Sequence, residues 1–392
     1  MSPSPRHDSA DVVVIGAGVI GSAVALELVR RRVGRVVLMD ARHAGEGMSG
    51  RSSALVRMHY SFRPEVELAV LGRRLYAGWL DWTGAPSLLR HTGFVRFVGP
   101  GEEGHLRQNA AMQRACGADV ELVEGARLRQ LLPGWRVDDV ALAAYEPMGA
   151  YGDGARAAGD MVARARDLGA EYRPRTQVTG LRRHGDQLTG VDTDQGPLAA
   201  PVVVCATGPW TSRLLATVGI RVAIEPELHA VAIVRPVQGA APARLACIDS
   251  RTRTYFRPDG GSGWLVGDFS GPRGVDPDDF PQQPGLEELA SLVTRAAARV
   301  PALGEAELIR GYTGIYDMTP DAHPLLGRMP ELDGLVVACG FSGMGFKIAP
   351  AVGVVLAEMV SGAPSSVNVS AFRPDRFQQG EAIRVPHAYQ DD

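Results

Sequence analysis

The chain has 392 residues, enough to bury a large core and to form two domains. Its apolar content of 45% and charged content of 22% are ordinary for a globular protein, and a net charge of −3 offers no basic field for nucleic acid or an anionic membrane. The first ten residues are polar, so no secretory leader is expected, and the longest apolar run, 348–360, contains Pro350 and Glu358 and is too short to span a bilayer.

In chain order, Asp11-Val12-Val13-Val14-Ile15 reads as a buried strand. Gly16-Ala17-Gly18-Val19-Ile20-Gly21 follows and opens a helix predicted to reach about Arg32. A second strand, Arg35-Val36-Val37-Leu38-Met39, ends at Asp40. This is the βαβ dinucleotide fingerprint in its full context. Gly16 makes the tight turn, Gly18 lets the backbone approach a pyrophosphate, and Gly21 lets the helix pack on the strand. The N–H groups around Val19 and Ile20, at the positive end of the helix dipole, receive the anion. Asp40, 24 residues after Gly16, is placed to bind an adenosine ribose.

Helical and strand patterns alternate through about residue 80. A strand is predicted over 93–99 and a polar helix over 103–114. A helix over 154–168 precedes a strand starting near 169–172. The apolar strand 202–206 ends at Thr207-Gly208. Strand-like runs at 230–235, 254–257 and 264–268 mark a β-rich insert, and Asp276, Asp278 and Asp279 form a small acidic cluster expected to be a solvated loop. A helix over 286–299, a buried strand over 335–339 and a helix over 350–359 complete the pattern. Cys116, Cys205, Cys247 and Cys339 have no metal or redox spacing; Cys205 and Cys339 sit in apolar runs and are expected in the core. No metal site is expected, and the chain fits a reducing cytoplasm.

Of 41 Lys plus Arg residues only Lys347 is lysine, and it closes the run Gly340-Phe341-Ser342-Gly343-Met344-Gly345-Phe346-Lys347. A compact ammonium rather than a planar fork suits a pocket holding one anionic group beside an aromatic cofactor. Codon bias with one chance lysine is the alternative. The fold class implied is α/β: a Rossmann-type nucleotide-binding domain (8–90, 146–217 and 318–383) interleaved with an α+β substrate domain (91–145 and 218–317) built on a β-rich sheet, and a loose tail over 384–392.

The fingerprint from Gly16 to Asp40, the run Gly50-Arg51-Ser52-Ser53-Ala54-Leu55-Val56-Arg57, Ala206-Thr207-Gly208-Pro209-Trp210, Thr319-Pro320-Asp321 and the glycine-rich run ending at Lys347 occur in order. Together they resemble the FAD-dependent amine and amino-acid oxidoreductases of the D-amino-acid oxidase superfamily, above all the sarcosine oxidase branch, over nearly the whole chain. The resemblance implies FAD as cofactor, making the nucleotide domain an FAD-binding one. It implies that Asp40 binds the ribose, that Ser49, Ser53 and Leu55 line the pyrophosphate and ribityl path, and that Val178 meets the adenine side. Gly208 would join the cofactor site at the end of its strand. Gly343, Met344, Gly345 and Lys347 would lie along the isoalloxazine, where glycines admit the backbone to a flat ring.

The resemblance also implies that Arg57 and Lys347 hold a substrate carboxylate, placing the adjacent C–H over the flavin. Tyr255 and Tyr316 match aromatic positions of the family pocket, with core packing as the alternative, and His59 and Tyr60 are candidates for support behind it. Three departures stand out. Gly314 occupies the position where relatives attach FAD to a cysteine, and Gly152 the position before Asp153 where multi-subunit relatives attach FMN to a histidine, so FAD is expected to be noncovalent. The lysine that activates oxygen in monomeric sarcosine oxidases falls at or beside Leu265.

The expected function is oxidation of the C–N bond of an amino acid or N-alkyl amino acid, with a small amino-acid-like substrate, O2 or a carrier as electron acceptor, and no nucleic-acid or membrane partner. A dehydrogenase passing electrons to a quinone or carrier protein, and a noncatalytic flavoprotein subunit, are the rival readings.

Overall fold

Val12–Ile15 is buried along its whole length because both faces of its sheet are covered. Val12 and Val14 point into one apolar cluster, shared with the helices Val19–Arg30 and Gly345–Ser361. Val13 and Ile15 point into another, shared with Leu181, Val191 and Leu335. The strand is central in a six-stranded sheet whose order is Leu325–Arg328, Leu335–Cys339, Val202–Cys205, Val12–Ile15, Val36–Met39, Glu171–Arg173. All neighbours are parallel except the first pair. In register, Val13 lies between Val203 and Val37. The computed structural model describes residues 8–237 and 244–389; the expectations for residues 1–7 and 390–392 fall outside them.

The second large sheet has eight strands, in the order Glu307–Met318, Glu225–Arg235, Gly263–Asp268, Thr254–Asp259, Ala246–Asp249, Phe94–Phe97, Ala143–Glu146, Glu121–Val123. Only the pair Ala246–Asp249 with Phe94–Phe97 is parallel. Side chains alternate across it. Val95, Phe97, Phe256 and Trp264 pack under the helix Leu286–Arg299. Phe94, Ile248, Tyr255 and Leu265 form a separate cluster with Leu55 and Tyr151.

Three sequence expectations need correction. The edge strand Glu307–Met318 has no counterpart in them: Gly311 and Gly314 break its apolar pattern and its first four residues are exposed, yet it pairs along the length of Glu225–Arg235. The last helix starts at Gly345, not at Pro350. A proline this far into a helix removes the N–H that would bond the carbonyl of Phe346; the Tyr76 hydroxyl donates to that carbonyl instead, at 2.7 Å.

Residues 384–389, expected to be loose, are docked. Asn109 Nδ2 donates to the His387 carbonyl at 2.9 Å, His105 Nδ1 meets the Ala388 carbonyl at 3.1 Å, and Tyr389 is 4% exposed. Among the described residues, no helix is long and apolar enough to cross a membrane.

Candidate active site

The turn after Val12–Ile15 is sterically committed. Gly16 has φ +101°, and a Cβ there would lie 2.4 Å from the Ala206 carbonyl oxygen of the neighbouring strand end. A Cβ on Gly21 would lie 1.9 Å from the Gly16 oxygen, so the helix can approach only through glycine. The helix Val19–Arg30 has no acidic residue in its first turn and no side-chain cap from Gly18. Ser49 supplies an acceptor from a distant segment: its Oγ takes the Val19 N–H at 3.0 Å. Asp40 is fixed by two amides, Oδ2 accepting from Ala17 at 2.7 Å and Oδ1 from Arg42 at 2.8 Å.

These groups border a cavity of ≈ 580 Å³. Of the residues expected to hold a cofactor, Gly16, Gly18, Val19, Ile20, Asp40, Ser49, Val178, Gly208, Gly343 and Gly345 line it, and Tyr316 joins them. Gly21 lies beneath the turn. Ser53 turns its carbonyl to Arg257 Nε at 2.6 Å, Leu55 is buried in the apolar cluster with Tyr255, and Met344 is the buried residue before the last helix. Arg57, Lys347 and Tyr255 are not among the cavity's lining residues.

Other residues line the cavity that were not among the expected site residues. Trp210 and Arg213 meet Asp278 at one edge: Trp210 Nε1 and Arg213 Nη1 donate to the two Asp278 oxygens at 2.8 and 2.6 Å, and the Arg42 guanidinium lies 5.5 Å from the Trp210 ring centroid. The acidic cluster is an exposed loop, as expected, and its Asp276 and Asp278 also pair with Arg213 at the cavity edge. Asp317 also lines the cavity; its Oδ2 takes the Gly340 N–H at 2.7 Å and its carbonyl takes the Ser342 N–H at 3.2 Å, which shapes the glycine-rich turn. Burial pushes the Asp317 carboxyl up to about 6.

The groups present fit a dinucleotide carrying a flat ring. Helix N–H groups and glycine backbone face the middle of the cavity, and an acceptor carboxylate stands at one end. Gly343, with φ +83°, lies against the Tyr316 ring: a Cβ would fall 2.6 Å from Tyr316 Cε2. A Cβ on Gly152 would fall 2.9 Å from the Phe346 ring, so a larger side chain is excluded there.

Beyond Tyr316 lie the charged groups. The Arg57 guanidinium sits 4.4 Å from the Tyr60 ring centroid and 5.7 Å from that of Phe94, and its Nη1 donates to the His59 carbonyl. Its buried Nε has no hydrogen-bond partner. Lys347 Nζ lies 5.9 Å from the same Tyr60 ring and makes only a 3.4 Å contact with the Gly343 carbonyl. Burial, then the nearby Arg57, push Lys347 well below the usual lysine range, with Glu65 pulling the other way. Two basic side chains thus lie near one aromatic ring, and among the described residues neither forms an ion pair.

Glu146 is buried behind them; its Oε2 takes the Met58 N–H at 2.8 Å, and burial raises its carboxyl to about 7, opposed by that amide and Arg57. The Tyr255 and Tyr316 hydroxyls are 3.5 Å apart, and burial raises both. His229 stacks on Tyr316 with centroids 3.8 Å apart. Among the described residues no group of His, Cys, Asp and Glu could hold a metal ion.

Over residues 11–359 the chain matches the family described as DAO, FAD dependent oxidoreductase. A glycine oxidase from Geobacillus kaustophilus is 28% identical over 374 residues, covering 92% of this chain and 96% of that one. The sarcosine oxidase β subunit of Rhizobium meliloti is 25% identical over 391 residues, covering 97% and 91%. The crystal structure of L-proline dehydrogenase from P. horikoshii superposes with a TM-score of 0.88 at 26% identity, covering 96% of this chain and all of that one.

Proposed function

The chain belongs to the DAO family of FAD-dependent oxidoreductases, and from that premise we propose that it oxidises the C–N bond of a small amino acid or N-alkyl amino acid. The observation that carries the reading is the pair of basic side chains, Arg57 and Lys347, neither of which has a carboxylate partner among the described residues. Buried charge without a partner is costly, so such a pair favours an anionic ligand. A carboxylate between them has its position fixed by Arg57 and its charge capped by Lys347. Glycine oxidase, sarcosine oxidase and proline dehydrogenase relatives are named for carboxylate-bearing amines, which supports the same substrate class.

FAD held along Gly16, Ser49, Asp40 and Gly343 would supply the acceptor for a hydride from the carbon beside the amine nitrogen, leaving an imine that hydrolyses. The chain's own residues then have three tasks. Arg57 and Lys347 orient the substrate. Tyr60, Tyr255 and Phe94 exclude water, which favours the neutral, reactive amine. The paired hydroxyls of Tyr255 and Tyr316 offer neutral donors at that end, and no side chain is assigned as a general base. The cofactor is noncovalent in this reading, because Gly314 and Gly152 carry no side chain to attach it.

A carboxylate that restores the charge of Lys347 takes up a proton, so affinity falls as pH rises through the lowered lysine pKa. Arg57→Met and Lys347→Met should each reduce the preference for an acid over its amide roughly tenfold to a hundredfold in kcat/KM, the value of a charge-assisted contact. Lys347→Met should also abolish the pH dependence of carboxylate affinity. Wild-type discrimination in both variants would sink the carboxylate clamp.

The dehydrogenase reading remains for the electron acceptor, favoured by one observation. Leu265 is buried among Leu55, Phe94 and Tyr255, and Arg257, the nearest alternative cation on that sheet, is committed to the Ser53 carbonyl and Asp259.

A further inference from the structure

Arg57 stands on irregular backbone. The strand Leu55–Val56 ends just before it, and residues 57–60 have no regular structure. Three side chains from elsewhere hold that segment: Glu146 accepts the Met58 N–H, Gln113 Nε2 donates to the Tyr60 carbonyl at 2.8 Å, and Tyr389, from the far end of the chain, meets His59.

The Tyr389 hydroxyl lies 2.8 Å from His59 Nε2, and the two rings are stacked at 5.7 Å with an interplanar angle of 18°. The Arg96 guanidinium lies 4.9 Å from the Tyr389 ring. His59 is 2% exposed, and its Nδ1 has no hydrogen-bond partner. Burial, Arg96 and Arg57 together hold it well below the usual histidine range, so it is a neutral ring with one polar contact. The carbonyl of this same residue accepts from Arg57 Nη1.

The approach of the chain end is itself fixed. The Ile383 N–H donates to Asp321 Oδ2 at 2.9 Å, and Arg376, fully buried, grips both Asp321 oxygens at 2.9 and 2.7 Å. His387 and Ala388 then dock on Asn109 and His105 of the helix Glu103–Ala115.

We propose that the C-terminal segment 383–389 is a working part of the substrate site, with Tyr389 positioning His59 and His59 presenting the carbonyl that aims Arg57 at the substrate carboxylate. This rests on the carboxylate-clamp reading above. Tyr389 touches no reacting atom; it is a positioning residue, and its effect should fall on carboxylate affinity rather than on the chemical step.

The test uses full-length, FAD-loaded protein without oxygen. Acetate is titrated by the change in flavin absorbance, with acetamide as control, and the maximal rate of flavin reduction is measured at saturating substrate. Tyr389→Phe keeps the stacked ring and the contact with Arg96 but removes the hydroxyl; it should weaken acetate binding roughly threefold to tenfold, the loss of one hydrogen bond, and leave the maximal rate within about twofold. Tyr389→Ala should weaken it further. Arg57→Met should lose the acetate response, and Arg57→Met with Tyr389→Phe should be no weaker than Arg57→Met alone, because the tyrosine acts through the arginine.

Wild-type acetate affinity in Tyr389→Phe, with Arg57→Met still defective, would overturn the role of the chain end and leave the clamp standing. A fall in maximal rate without a change in affinity would overturn it too. Undiminished acetate binding in Arg57→Met would instead bring down the clamp reading itself. If Tyr389→Ala does not retain FAD, the isosteric phenylalanine variant decides the matter.

Discussion

At the nucleotide end of the cleft the contacts on offer come from backbone: the amides of the first helix, the turn at Gly16, and glycines whose missing side chains leave room. At the inner end they come from side chains: Arg57, Lys347, Tyr255, Tyr316 and the groups behind them. The nucleotide end rests mainly on one local geometry, encoded within the 25 residues from Gly16 to Asp40. The inner end needs side chains brought together from separate segments, His59 and Tyr389 being 330 residues apart. Backbone recognition tolerates most side chains but not a Cβ in the wrong place; side-chain recognition depends on packing that no short segment controls.

The largest effect is expected where a side chain carries the inner end. Arg376→Met leaves Asp321 buried without its partner and should cost about 3–5 kcal/mol of stability in denaturant unfolding. Burial raises the Asp321 carboxyl, but Arg376 and the Ile383 amide outweigh it, so the net shift is downward. A lowered carboxyl stabilises above its unfolded value of about 3.9 and loses that contribution as pH falls through the lower folded value. Wild-type stability should therefore drop below about pH 4, and Asp321→Asn should flatten that drop. An Arg376→Met cost near zero would break the comparison, since the inner end would then not depend on buried side-chain pairs.

A smaller effect is expected from Gly16→Ala, which adds one methyl group against the Ala206 carbonyl at a positive φ. Strain of about 1–3 kcal/mol should appear as FAD binding weakened roughly tenfold to a hundredfold, measured by fluorescence titration of apoprotein. Carboxylate discrimination in the loaded protein should be unchanged. Unaltered FAD affinity would mean that the turn is not the demanding element at that end.

The smallest effect sharpens the division. Leu265→Lys places an ammonium in the apolar cluster beside Tyr255 and should raise the rate of reoxidation by O2 about tenfold, equivalent to about 1.4 kcal/mol, with FAD affinity unchanged. Stopped-flow mixing of substrate-reduced protein with oxygenated buffer reads it. Rapid wild-type reoxidation that the lysine does not alter would mean that Lys347 or the amides near Gly343 already supply the field.

Legibility followed the same division. Gly16, Gly18, Gly21 and Asp40 could be read because steric and hydrogen-bonding demands tie them to fixed spacings. Lys347 could be read because it is the only lysine. Arg57 was visible only through its family resemblance, since nothing local separates it from the other arginines. Ser49 looked like a cofactor contact, and the fold shows it also caps the first helix. Pro350 misled: a proline normally marks a helix boundary, and the Phe346 carbonyl it leaves free is taken by Tyr76, 270 residues from Phe346. Residues 384–389 looked loose because their composition is polar and mixed, and their anchors are Asn109, His105 and His59, with Asp321 holding Ile383 just before them.

The sequence by itself determined the βαβ fingerprint, the alternation that builds two sheets, and a dinucleotide as the ligand class, because those rest on periodicity and on where a Cβ can fit; FAD came from the family resemblance. Tertiary structure alone decided that Arg57 and Lys347 lie near one tyrosine ring with no carboxylate partner among the described residues, that Asp276 and Asp278 bind across the cavity edge to Arg213, and that Tyr389 reaches His59. Charge pairing and burial are properties of neighbours in space, and the chain carries no local pattern that names those neighbours.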